Sequence, residues 1–160
     1  MIRKFLLGAF LLGTLQFGLQ NEANAQSTYK TAVGMRVDFG TGGSFAGISG
    51  KHFFNENSAG ELQLLFGTGV TLLGAEYQYH GDIQNAQGLK WYAGLGPTLA
   101  FGRFGGTELR LRPVVGLDYK INNVPLNAGF DWRPTFSTAS GVTSRFTAAR
   151  FGIAFRYTIK

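Results

Sequence analysis

The 160-residue chain contains no cysteine, only 4 prolines and 2 methionines, and 15% charged residues. With no cysteine there is no disulfide framework, and no thiolate to act as nucleophile or to ligate a metal. Beyond the first 25 residues no segment is long and apolar enough to cross a bilayer as a helix, which takes about 20 such residues. Any passage through a membrane is left to strands. The glycine pairs fall at turn positions and do not open a helix after a strand, so a phosphate-cradling loop is not expected. Only two histidines are present, and they lack a partner imidazole at metal-ligand spacing.

What the chain has in quantity is glycine and aromatic residues, with 24 Gly, 15 Phe and 6 Tyr. That composition favours β-structure with close packing over helix. The amino-terminal stretch has its own pattern: Arg3 and Lys4, an apolar run from Phe5 to Leu12 that continues loosely to Leu19, polar Gln20-Asn21-Glu22, and Ala23-Asn24-Ala25. This order predicts a cleaved secretory signal over residues 1–25 and a single domain over 26–160. Removing Arg3, Lys4 and Glu22 brings the formal charge from +6 to +5. The remaining charge is spread along an exported chain, so nucleic acid is not an expected partner.

The rest of the sequence alternates with period two between turn signals, as strands do. From Glu108 to Tyr119, Leu109, Leu111, Pro113, Val115, Leu117 and Tyr119 share one face, opposite Glu108, Arg110, Arg112, Val114, Gly116 and Asp118. Phe151, Ile153, Phe155, Tyr157 and Ile159 likewise oppose Arg150, Gly152, Ala154, Arg156 and Thr158, and the stretch from Leu126 to Phe136 alternates in the same way. Weaker copies lie around Val33–Phe39, Leu62–Phe66, Leu73–His80 and Trp91–Leu99; Ser44 to Phe54 is irregular and leaves its register open. Turn residues fall at 41–43, 55–58, 67–69, 81–88, 102–106, 122–123 and 137–144. Seven turns make eight strands. Pro113 and Pro134 are expected to mark bulges. The fold expected is all-β: an eight-stranded antiparallel up-and-down transmembrane β-barrel.

A soluble ligand-binding barrel alternates too, with its faces reversed. Three features favour a polar interior. Glycines crowd the polar face, at Gly34, Gly74, Gly94, Gly96, Gly116, Gly129 and Gly152, where a narrow lumen needs small residues. The same face carries balancing charges: Arg36, Asp38, Glu61, Glu76, Arg110, Arg112, Asp118, Asp131, Arg133, Arg150 and Arg156 form an expected interior network, with cross-strand pairing of Arg110, Arg112 and Asp118 to Asp131 and Arg133. Lys30, Lys90, Lys120 and Lys160 fall near strand ends. Finally, Tyr77, Tyr79, Trp91, Tyr119 and Tyr157 would gather at one rim as an aromatic girdle, with Phe39, Phe101 and Phe136 at the other.

Gly116-Leu117-Asp118-Tyr119-Lys120, Asn123-Val124-Pro125-Leu126 and Asp131-Trp132-Arg133-Pro134 resemble the penultimate hairpin of small outer-membrane β-barrel proteins of the Bacteroidota, and Phe151 to Tyr157 resembles their closing strand. The resemblance covers residues 26–160. It implies an outer-membrane location, contact with outer-membrane lipids and lipopolysaccharide, and assembly through the barrel-assembly machinery. It implies no reaction and no cofactor.

Some small outer-membrane barrels modify lipid A, so an enzyme is one alternative; a soluble periplasmic ligand-binding barrel is another. A hydrolase needs a nucleophile, a base and an orienting acid. His52 is followed by Phe53-Phe54 and His80 by Gly81-Asp82, neither in a His-x-Ser pattern, and both are placed at the rim or pore mouth. No catalytic site is therefore expected. Arg103 and Arg145, in the turns opposite the termini, are candidate contacts for anionic lipopolysaccharide groups. The barrel is expected to be monomeric.

Overall fold

In a computed structural model that describes residues 29–139 and 145–160, the chain is a succession of antiparallel strand segments. They are β1 (Thr31–Gly40), β2 (Phe45–Phe53), β3 (Ser58–Gly67), β4 (Val70–Asp82), β5 (Leu89–Gly102), β6 (Thr107–Lys120), β7 (Leu126–Trp132), β8 (Thr135–Ser137), β9 (Phe146–Thr147) and β10 (Arg150–Ile159). The expected signal over 1–25 and most of the 137–144 turn lie outside the described residues.

These ten segments make eight barrel strands. β7 with β8 forms the seventh, and β9 with β10 the eighth. Each strand pairs with the next, β5 pairs with β6, and β1 pairs with β10 over Thr31↔Ile159 to Gly40↔Arg150. The sheet therefore closes on itself, and among the described residues each of the eight barrel strands pairs with two neighbours. The fold is an all-β, closed, antiparallel eight-stranded barrel. Both described ends of the chain lie at one end of it, called here the termini end; the 41–44, 68–69 and 103–106 connections, with the described residues 138–139 and 145, lie at the other, the loop end.

Connections are short because the sequence supplies residues that turn tightly. Only Thr68 and Gly69 join β3 to β4, and Gly69 has φ 74°, a conformation that strains any residue with a Cβ. The two irregular prolines behave differently from one another. Pairing of the seventh and eighth strands shifts by one residue between Phe151↔Trp132 and Thr135↔Thr147; the extra residue belongs to the eighth strand, so the bulge lies opposite Pro134, between Thr147 and Phe151. At Pro113 the pairing with both neighbouring strands stays in register, so the bulge expected there is absent.

β2, whose register the sequence left open, turns Phe45, Ser49, Lys51 and Phe53 inward and Ala46, Ile48 and His52 outward. Two inward phenylalanines and Gly47 and Gly50 blur its hydrophobic alternation. On the other strands the pleat puts apolar residues outside: Met35 is 70% exposed, and Leu62, Leu73, Leu95, Phe130 and Phe155 are exposed with it. Arg36, Asp38, Glu61, Glu76, Asp118, Asp131 and Arg133 are buried within. The usual polarity of a water-soluble protein is inverted.

Candidate functional site: the charged lumen

Apolar side chains fill both ends of the lumen. Tyr29, Ala32, Phe53 and Ala59 close the termini end, with the Tyr29 and Phe53 rings edge to face at 5.3 Å. Phe45, Leu65, Leu72 and Ala100 close the loop end. Between these caps the inward faces bring charged groups together in tiers.

Asp118 anchors the tier nearest the termini. It accepts from Tyr29 Oη at 2.6 Å, Asn127 Nδ2 at 2.9 Å and Lys51 Nζ at 3.4 Å. Burial pushes the Tyr29 phenol well above its ordinary range, and the Asp118 carboxylate adds to the effect. Lys51 Nζ also lies 3.3 Å from His80 Nε2 and 4.4 Å from the centre of the Tyr92 ring. His80 stacks on Tyr92, with 5.1 Å between ring centres.

In the middle, Glu61 accepts from Arg156 Nη2 at 2.5 Å, Gln78 Nε2 at 3.0 Å and Arg36 Nη1 at 3.2 Å. Asp131 accepts from Arg133 Nε and Tyr92 Oη at 2.6 Å and from Arg36 Nη2 at 2.7 Å. Nearer the loops, Asp38 accepts from Arg112 Nη2 at 2.5 Å and Arg36 Nε at 2.8 Å; Glu76 accepts from Arg133 Nη1 at 2.6 Å and Gln63 Nε2 at 2.5 Å. Most of these pairs span the lumen, tying β1 to β3, β6 and β7 and β4 to Arg133. Buried charges in a low-dielectric interior demand such pairing, and the guanidinium fork lets one arginine serve several carboxylates.

Inward glycines make room for this packing. A Cβ on Gly116 would lie 2.9 Å from Tyr92 Cζ, and one on Gly152 would lie 2.9 Å from Asp38 Oδ1.

Several expectations need correcting. Arg110 is not part of the buried network: it stands partly exposed at the loop-end mouth and pairs with Glu108 at 2.8 Å, while Ser137 Oγ donates to Glu108. The cross-strand pairing expected among Arg110, Arg112, Asp118, Asp131 and Arg133 is replaced by pairing across the lumen and along one strand, because the register of the sixth and seventh barrel strands sets Arg110 opposite Ser137, Asp118 opposite Gly129 and Asp131 opposite Gly116. Arg112 reaches Asp38, Asp118 reaches Lys51, and Arg133 pairs with Asp131 of its own strand. His80 is not at the pore mouth but fully buried, since the period-two alternation of β4 carries it inward. His52 does face outward near the termini end, where Nδ1 lies 2.9 Å from Thr31 Oγ1. Lys30, Lys90, Lys120 and Lys160 do fall at strand ends, whereas Lys51, which the expected network did not include, is fully buried on β2.

Sequence reasoning also missed Ser49, Gln63, Gln78, Tyr92 and Asn127. Inward parity was the available signal for Gln63, Gln78, Tyr92 and Asn127, but uncharged groups on a polar face drew no notice; Ser49 lies on β2, whose register the sequence left open.

Arg150 is buried beneath the loop end, its guanidinium 5.0 Å from the Phe45 ring and its Nη1 donating to Thr41 O at 2.5 Å. Arg103 and Arg145 are exposed, on the 103–106 turn and just before β9. Beside Arg103, Phe104 is 98% exposed. Tyr77, Tyr79, Trp91, Tyr119 and Tyr157 all project from the outer face in the half nearer the termini. Phe39 stacks on Phe151 at 6.1 Å towards the loop end, where Phe136 and Phe146 also meet at 4.7 Å. At the termini-end rim, a recess of about 340 Å³ is lined by Lys120, Asn123, Val124, Pro125, Thr158 and Lys160; Lys120 Nζ is occupied by the carbonyls of Ile121 and Val124. Among the described residues no three His, Cys, Asp or Glu side chains are grouped to hold a metal ion.

No protein-family model matches the chain, and no curated protein sequence matches it. Among solved structures it is similar to the crystal structure of Neisserial surface protein A, at 18% identity over 87% of this chain and 100% of that one, with a TM-score of 0.46.

Proposed function

We propose that the chain is an integral outer-membrane β-barrel with a structural or surface-binding role, exported by a cleaved signal over residues 1–25. The observation that carries this reading is the inverted polarity of the barrel. An apolar belt that includes Met35, Ile48, Leu62, Leu73 and Phe155 faces outward, while the arginine–carboxylate network is sealed inside. Water penalises the first arrangement and hydrocarbon accommodates it. A closed barrel also satisfies its backbone without edges, as a spanning structure must. Outward tyrosines and Trp91 at one end supply rings with polar tips for a lipid interface, the termini end then facing the periplasm. With charged side chains between two apolar caps, the lumen suits neither a wide pore nor an apolar ligand.

The resemblance of the segments at 116–120, 123–126 and 131–134 supports a place among the small barrels of the Bacteroidota, reached through the barrel-assembly machinery. In this reading the protein works as a monomer, and Arg103 and Arg145 on the outer side contact anionic groups of lipopolysaccharide.

The test is fractionation of cells expressing the full chain. Sedimentation with outer membranes and resistance to alkaline carbonate extraction are expected; release by osmotic shock would overturn the reading. Binding of purified lipopolysaccharide to wild type and to an Arg103→Ala/Arg145→Ala variant tests the surface contact, which fails if the two bind equally.

A further inference from the structure

Five buried polar atoms towards the loop end of the lumen have no hydrogen-bond partner among the described residues. They are Arg112 Nε and Nη1, Arg133 Nη2, Arg150 Nη2 and Thr98 Oγ1; elsewhere only Gln78 Oε1 and His80 Nδ1 share that condition. All five can donate a proton and four belong to cations, so the local shortage is of acceptors. Two of the side chains meet on one carboxylate. Arg112 Nη2 and Arg133 Nε lie 2.5 and 3.9 Å from Asp38. Arg133 N donates to Arg150 O at 3.0 Å, and the Arg150 Nη1 donates to Thr41 O at 2.5 Å. Thr98 is inward on β5, two residues beyond Gly96, which pairs with Arg112.

The nearby carboxylates are already engaged. Asp38 serves Arg36 and Arg112, Glu76 serves Arg133 and Gln63, and Asp131 serves Arg36, Arg133 and Tyr92. Arg112 and Arg133 thus share carboxylates that have their own donors, Arg150 donates to the Thr41 carbonyl, and N–H groups are left over.

We propose that this end of the lumen holds a single-atom inorganic anion of halide size between Arg112, Arg133 and Arg150, with the Thr98 hydroxyl as a further donor. Charge sets the sign of the ligand, and unpartnered N–H groups set its chemistry, since a halide accepts several such bonds at once. Enclosure sets its size. The donors are shut off from solvent, with the Phe45 ring against the Arg150 guanidinium, which favours a compact ion over phosphate or sulfate. Such an ion would offset the like-charge crowding of the three arginines and fix their geometry.

Bromide is the probe. Crystals of the full barrel grown in sodium bromide are expected to show an anomalous peak within hydrogen-bond distance of Arg112 Nη1. In detergent solution, the unfolding temperature is expected to rise with chloride or bromide relative to sodium gluconate at equal ionic strength, and the rise is expected to be lost in Arg150→Gln and reduced in Thr98→Val. Both variants leave the Asp38 contacts in place, so the comparison does not depend on disrupting the central network. Anomalous peaks confined to the outer surface, or unfolding temperatures equal in gluconate and bromide for the wild type, would overturn the proposal and leave water as the acceptor.

Discussion

Pro113 and Pro134 face each other across the sixth and seventh barrel strands, in a pair whose backbone groups point at one another. The continuous register of Val115↔Trp132 and Leu111↔Phe136 puts them opposite. Thr138 N donates to Leu109 O at 3.1 Å, which makes alternate pairs along this ladder the hydrogen-bonded ones, the proline pair among them. Neither proline has an N–H to give, so two rungs are missing at one point in the wall.

Pro113→Val would return one donor, aimed at Pro134 O, without disturbing Leu95 on the other side. It is expected to stabilise the folded barrel by about 1 kcal/mol, the net worth of a typical hydrogen bond. Urea unfolding in lipid vesicles measures this; a loss of stability would contradict the pairing described.

Asp38 is the carboxylate on which Arg36, Arg112 and Arg133 meet. Its removal strands buried positive charge. Asp38→Asn is therefore expected to cost roughly 3–5 kcal/mol, and adding Arg112→Gln is expected to recover part of the loss. The same urea titrations decide it, and additive effects of the two substitutions would show that the pair is not coupled.

Gly152 and Gly129 are both inward, yet a Cβ would lie 2.6 Å from Asp131 Oδ1 at the first and no nearer than 3.4 Å to any atom at the second. Gly152→Ala is expected to destabilise by about 1–3 kcal/mol through overpacking, and Gly129→Ala by markedly less. Equal effects on unfolding would contradict the tight packing around Gly152.

The eight strands were legible in the sequence because most carry unbroken period-two alternation; Glu108–Tyr119 is the clearest case. The interior was legible to the extent that parity alone fixed it, for Arg36, Asp38, Asp131 and Arg156. It was not legible at Lys51, because β2 turns phenylalanines inward at both ends and so gives no hydrophobic face to count from. Pairing within the network was also hidden. Arg112 meets Asp38 across the lumen, between strands far apart in the chain, and that contact depends on barrel closure and side-chain reach. Sequence spacing reports neighbouring strands only.

Met35 lies midway along β1, outward and opposite Ile48 and Phe155. Replacing it with Arg is expected to cost about 2–4 kcal/mol if that face meets hydrocarbon. Vesicle-folding yields and unfolding free energies of Met35→Arg measure the cost, and a neutral outcome would mean that the belt faces water.

The inverted barrel is tested most directly through Trp91 and Trp132, the only tryptophans of the chain, both projecting from the outer face. The measurement is their fluorescence after refolding into vesicles whose acyl chains carry bromine, a contact quencher. Strong quenching is expected relative to unbrominated vesicles, and it should persist in Trp91→Phe and Trp132→Phe, each of which reports one ring. Unchanged emission from folded protein that stays in the aqueous phase would contradict a membrane-facing exterior.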